Sequence, residues 1–247
     1  MGKNKFCFPQ QRHVEAVKEA LATIIGSDSF KASMHKDGVW EAEIYFSTGE
    51  LFEKATVARV DLCGGSVEGA RTDITLVQSF VWPVNPFIPG LILMASASST
   101  EVGDPIITFF TDLIMQAGEV RQEDKDVFTS GLAAACQLHA QDINEYQALM
   151  AGRGMLGGCA AECGMLYFFE ESDAGLLEDL INAALSSYQS LVRVAPQTSL
   201  KDDYATMREN HRKIIDWITT QDYGFRVSRE NGIPLSVIKA YGFPPTG

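Results

Sequence analysis

Residues 72–112 read TDITLVQSFVWPVNPFIPGLILMASASSTEVGDPIITFFTD. Three apolar strands are expected here, over Thr72–Trp82, Ile88–Ser96 and Pro105–Asp112. A proline-stiffened corner at Pro83, Pro86 and Pro89 joins the first two, and the polar loop Ser98–Gly103 joins the last two. Strands this apolar are expected to be covered on both faces. Polar side chains on such a sheet must then find partners or meet a ligand, because an unpaired buried polar group is costly. Gln78, Asn85, Thr108 and Asp112 are those side chains, and the stretch reads as the floor of a binding pocket.

On the N-terminal side, Gln11–Ile25 places Val14, Val17, Leu21, Ile24 and Ile25 at helical spacing, with Gly26 as its stop. Val39–Ser47 alternates, Thr48-Gly49 signals a turn and Leu51–Leu62 follows, which predicts a hairpin. The run Cys63–Arg71 (CGGSVEGAR) reads as a glycine-rich loop. On the C-terminal side, Glu123–Met150 fits one long helix or two broken near His139–Asp142. A glycine-rich loop (Gly152–Gly164) then leads to a short buried strand, Met165–Phe169. Leu176–Val194 predicts an amphipathic helix stopped before Pro196. Leu200, Tyr204, Met207, His211, Ile214 or Ile215 and Ile218 step by three and four, a helix face with a capped start near Ser199. A loop over Asp222–Gly232 and a last helix over Pro234–Tyr241 complete the chain. This order predicts an α+β fold in one domain over 1–247, a single antiparallel β-sheet sandwiched between layers of α-helices.

The chain has 247 residues, of which 46% are hydrophobic and 21% charged, enough for one sizeable core. A net charge of -12 without a Lys/Arg cluster argues against nucleic acid as a partner. No apolar run approaches the roughly 20 residues of a membrane helix, and the N-terminus lacks the apolar region of a secretory signal. Five scattered cysteines, Cys7, Cys63, Cys136, Cys159 and Cys163, fit reduced thiols in a cytoplasm better than a disulfide framework.

Motifs for phosphate, dinucleotide, zinc-protease or serine-hydrolase chemistry are missing. Cys159 and Cys163 lack the second pair a metal site needs, so no metal is expected. The glycine loop around Arg153 either cradles an anion or is glycine-rich for steric reasons.

TGELFEKA at Thr48–Ala55, the strand ending Trp82-Pro83, the PxxP corner, TDL at Thr111–Leu113, CGMLYFF at Cys163–Phe169 and the terminal pattern Asp222–Phe243 occur in succession. In this order and chain length the sequence resembles ferredoxin-dependent bilin reductases and red chlorophyll catabolite reductases across nearly all residues. That resemblance implies a linear tetrapyrrole as substrate and no bound cofactor. Electrons would arrive singly from external ferredoxin as partner, protons would come from pocket side chains, and the location would be the cytoplasm, or the plastid stroma in a eukaryote. By position, Asp222 matches the family's C-terminal carboxylate, and Asp112 ends the third central strand. A carboxylate facing an apolar pocket has the raised pKa a proton donor needs. Asp222 alternatively caps the turn Asp222-Tyr223-Gly224, and Asp112 alternatively caps the helix that follows. Two positions depart from the pattern. Gln78 stands where the family has histidine or asparagine, and Met94 stands near its central-strand acid. Arg153, Arg208 and Arg212 are candidates for the propionate carboxylates, beside His211 on the same helix. Arg208 and Arg212 alternatively form a solvated face pairing with Glu209 and Asp216.

FEKA followed by a strand, NPFIP at Asn85–Pro89, YFFEESD at Tyr167–Asp173 and the closing Pro-Pro are also similar to oxygen-dependent coproporphyrinogen oxidase. That family's glycine runs and its histidine after the corner are missing, and its last strand falls where this sequence has a helical period. Three functions follow: a reductase of a linear tetrapyrrole, a cofactor-independent enzyme acting on a porphyrinogen, and a non-catalytic tetrapyrrole-binding protein. Membrane partners are not expected in any of them.

Overall fold

The computed structural model describes residues 11–26, 30–100, 105–169, 174–194 and 201–245. The expectations for Cys7, Pro196 and the Ser199 cap lie outside the described residues. Helix α1 (Gln11–Ile25) is followed by six strands: β1 (Lys31–Asp37), β2 (Trp40–Ser47), β3 (Phe52–Val67), β4 (Ala70–Pro83), β5 (Gly90–Thr100) and β6 (Ile106–Ile114). Helices α2 (Gln122–Leu138), α3 (Ile143–Ala148) and the single turn α4 (Met155–Gly158) lead to β7 (Met165–Phe169). Helices α5 (Ala174–Val194), α6 (Lys201–Thr220), α7 (Tyr223–Glu230) and α8 (Leu235–Gly242) close the chain. All seven strands form one antiparallel sheet in sequence order, β1 to β7.

Period-two alternation divides the sheet between two hydrophobic clusters. Odd-numbered residues of the central strands, such as Val77, Val81, Leu91, Leu93, Phe109 and Leu113, belong to a cluster with α1, α2 and α5. Even-numbered ones, such as Phe80, Trp82, Ile92, Phe110 and Ile114, belong to a second cluster with α6, α7 and α8. Helix α5 buries Leu177, Leu180, Ile181, Ala184 and Tyr188 at helical spacing, and the Tyr188 hydroxyl donates to the Pro89 carbonyl at 2.9 Å, tying the helix to the proline corner. The C-terminal helix is fastened from below. The Lys54 ammonium donates to the carbonyls of Lys239 and Phe243, and the Thr56 hydroxyl donates to that of Tyr241.

Three expectations need correction, and one strand had no expectation at all. The glycine-rich run Cys63–Arg71 is not a loop, because β3 continues to Val67 and β4 starts at Ala70. Its glycines mark a bulge between Leu62 and Gly65. A Cβ at Gly65 would lie 2.6 Å from the Asn231 side chain, whose amide pairs with both the N–H and the carbonyl of Ser66. Glu68 and Gly69, both at positive φ, make the tight two-residue turn. Asp222–Gly232 is not a loop either, since eight of its residues form α7. Strand β1 escaped a reading by alternation because its residues KASMHKD are mostly exposed on both faces. Finally, the sheet is not fully covered. Leu76, Gln78, Met94, Ser96 and Thr108 are only half-buried, and Phe168 on the edge strand β7 is 52% exposed. Polar side chains at several of these positions make exposure tolerable.

Candidate functional site

The second-cluster face of the sheet has two unlike ends. At one end Trp82 stacks on Phe80 at a centroid distance of 5.5 Å and meets the edge of His211 at 5.1 Å. The neighbouring strands add Ile92, Asp112 and Ile114, and none of these side chains reaches water to a useful extent. Two or more residues further along the same strands the face opens. Gln78 lies directly opposite Met94, and Met94 opposite Phe110 and then Leu166. In the next row Leu76 lies opposite Ser96, Ser96 opposite Thr108, and Thr108 opposite Phe168. Ile74, Ser98 and Ile106 form a third row. Four strands at about 4.8 Å spacing and three rows about 6.6 Å apart make a floor of roughly 14 by 13 Å.

Asp112 sits on β6 and is fully buried. Its Oδ1 accepts from the N–H groups of Leu113, Cys163 and Gly164 at 2.8, 3.2 and 2.9 Å and from the Cys163 thiol at 3.3 Å, while Oδ2 accepts from the N–H of Glu162 at 2.9 Å. The carboxylate therefore folds the 162–164 loop against β6 and does not cap α2, which starts at Gln122. The loop comes so close that a Cβ at Gly164 would lie 1.8 Å from the Thr111 carbonyl oxygen. Burial outweighs the five donors and pushes Asp112 up to about 6, and it raises the Cys163 thiol as well.

Asp222 is half-buried and caps α7, its Oδ1 accepting from the Phe225 N–H at 2.6 Å. Burial raises its pKa above the usual carboxylate range against the Phe225 and Gly224 amides. Its helix packs on the same face as the floor, with Val227 in the second cluster. His211 is buried, its Nε2 lying 2.8 Å from Gln116 Oε1, and burial pushes it down to about 4 against the pull of the Pro245 carbonyl. It is a neutral core imidazole.

The structure brings Gln78, Met94 and Thr108 together on the floor and leaves the other candidates apart. Asn85 holds the proline corner, accepting from the Phe87 N–H at 3.0 Å. Arg212 is exposed and pairs with Glu209 at 2.5 Å, the solvated-face alternative. Arg208 is exposed, and its charge acts on Glu53. Arg153 is exposed in the loop before α4. Ser96 and Ser98 were missed by sequence reasoning. Their signal is the alternation in Leu91–Ser98 (LILMASAS), where both serines fall on the face opposite Ala95 and Ala97.

A cleft of 570 Å³ lies elsewhere, between α2 and the 161–163 loop, with Lys125, Thr129, Gln147 and Glu162 among its lining. The floor is the better candidate site because it gathers apolar surface around convergent polar groups, the composition of small-molecule sites. Among the described residues, no group of three or more His, Cys, Asp or Glu side chains is placed to hold a metal ion, the four cysteines are free thiols and no helix is long and apolar enough to cross a membrane. Compared with known proteins, the chain matches no family model and no curated protein.

Proposed function

We propose that this chain is a tetrapyrrole-binding protein on a single-domain α/β/α sandwich, and that the open end of its sheet takes a linear tetrapyrrole. The observation that carries this reading is the floor of Gln78, Met94, Ser96 and Thr108, ringed by Leu76, Phe110, Leu166 and Phe168. Its extent suits four pyrrole rings lying against side chains of mixed character. None of these groups is an acid or base able to move a proton near neutrality. Binding without turnover is the function this chemistry supports.

Asp222 favours a second reading, reduction of the bound tetrapyrrole by ferredoxin-supplied electrons. Its half-buried carboxyl has a raised pKa and sits at the start of α7, a helix on the same side of the sheet as the floor. The test is an absorbance titration with biliverdin and, in parallel, with a porphyrin, followed by a reducing ferredoxin system. A bilin spectrum that shifts on binding and then persists supports the holder. A spectrum that moves only when reduced ferredoxin is supplied, and stalls in Asp222→Asn, supports the reductase, since asparagine keeps the helix cap. Firm porphyrin binding without bilin binding contradicts both and points to the oxidase-like class.

A further inference from the structure

Elsewhere on this sheet several polar side chains have partners within the protein, and the Ser47 and Ser79 hydroxyls, which have none among the described residues, are closed off from solvent. Thr56 donates to the Tyr241 carbonyl, Thr75 to Asp61 at 2.7 Å, and Thr111 to the Ile92 carbonyl at 2.9 Å. The floor is different. Gln78, Ser96, Ser98 and Thr108 are half-buried, and among the described residues their side chains have no hydrogen-bond partner. Ser96 and Thr108 stand directly opposite each other on β5 and β6, Gln78 lies diagonally from Ser96 across β4, and all four share one face. Half-buried polar groups with no partner in the protein can exchange their hydration for a ligand without leaving anything unpaired.

The chemistry of this strip selects the ligand form. Hydroxyls and a carboxamide both donate and accept, so they match pyrrole N–H groups and lactam carbonyls alike. They carry no charge, and among the described residues of β4 to β7 no carboxylate or imidazole shares their face at this end; His35 and Asp37 stand on that face only on the far edge strand β1, beyond β3 and β2. A protonated, cationic tetrapyrrole would therefore find no counter-ion on the floor, and its charge would be desolvated without return. Met94 and Phe110 beside the strip give the rings adaptable apolar contact.

Resting on the reading that the floor takes a tetrapyrrole, we infer that Gln78, Ser96 and Thr108 form a neutral recognition strip that binds the ligand's N–H and lactam edge and holds it in the uncharged state. Ser96 and Thr108 are the specificity-determining pair at its centre, where both hydroxyls meet the same edge of the ligand.

Biliverdin is the probe. It is titrated into the wild type, Gln78→Leu and the double variant Ser96→Ala/Thr108→Val, with circular dichroism confirming that each is folded. The wild-type complex should show the unprotonated bilin spectrum, unchanged between about pH 6 and about pH 8. The double variant should bind about tenfold or more weakly, the loss expected for two ordinary hydrogen bonds, with Gln78→Leu intermediate. Equal affinity in folded double variant and wild type, or a protonated spectrum in the wild-type complex, overturns the strip while leaving tetrapyrrole binding standing. A wild type that binds no bilin overturns the underlying reading and the strip with it.

Discussion

The two ends of one sheet face are built from the same strands yet serve different purposes. At the closed end, Phe80, Trp82, Ile92 and Ile114 meet α6 and α8, and the one carboxylate there, Asp112, is consumed by backbone amides of a neighbouring loop. At the open end the same alternation presents Gln78, Ser96 and Thr108, which are left half-buried. Residue type at alternate positions thus decides which part of a continuous sheet becomes core and which stays half-exposed. A buried carboxylate is a poor guide to function when its acceptor capacity is already filled. A row of half-buried hydroxyls with open valences is a better one.

Stability measurements can break this comparison. The largest effect is expected at the closed end, where Trp82→Ala removes a fully buried ring against Phe80 and His211 and should cost about 3–5 kcal/mol in urea unfolding. Asp112→Leu leaves the amides of Glu162, Cys163 and Gly164 without their acceptor and should cost about 3 kcal/mol by the same measurement. Lys54→Met removes the bonds to two carbonyls at the end of α8 and should cost about 1.5 kcal/mol. Ser96→Ala at the open end should stay within about 0.5 kcal/mol of wild type. A Ser96→Ala loss as large as that of Trp82→Ala would mean the open end is core after all.

Acid sharpens the same contrast because the closed end holds two groups that titrate in opposite senses. Asp112 rises from 3.8 to about 6 on folding, so its contribution is fully present below 3.8 and is lost as pH rises through about 6. His211 falls from 6.5 to about 4, so its contribution is present above 6.5 and is lost as pH falls through about 4. In the wild type the two offset each other across this window. Asp112→Asn should leave the histidine alone and make the urea midpoint fall on acidification. His211→Gln should leave the aspartate alone and make the midpoint rise. Parallel profiles for the two variants would show that neither group carries the assigned shift.

Much of the fold was legible because burial imposes a period. Helix α1 follows its apolar spacing from Gln11 to Ile25 and stops at Gly26, whose φ of 72° suits glycine. Strand β7 and helices α6 and α8 fall close to where their patterns put them. The misses have physical causes. Glycines at 64 and 65 look like a loop in one dimension, yet they serve a bulge that receives the Asn231 side chain from a segment 165 residues away. Helix α7 has only one fully buried residue, Val227, so it has little period to read. The candidate site was partly legible. Gln78 and Thr108 could be named as polar residues on apolar strands, and Met94 only by its position in the resembled family, but their grouping with Ser96 depends on strand register. The burial of Asp112 and His211 depends on loops and helices distant in sequence.

If the open end of the sheet is a ligand floor, a bulky residue in its middle should block it. Ser96→Trp places an indole where Leu76, Thr108 and Met94 converge while leaving the closed end untouched. Wild type and variant are titrated with biliverdin and followed by visible absorbance, with thermal unfolding as the control for folding. A shifted bilin spectrum is expected for the wild type and none for a variant that unfolds at a similar temperature. Equal binding by the two folded proteins would place the ligand elsewhere and contradict the account.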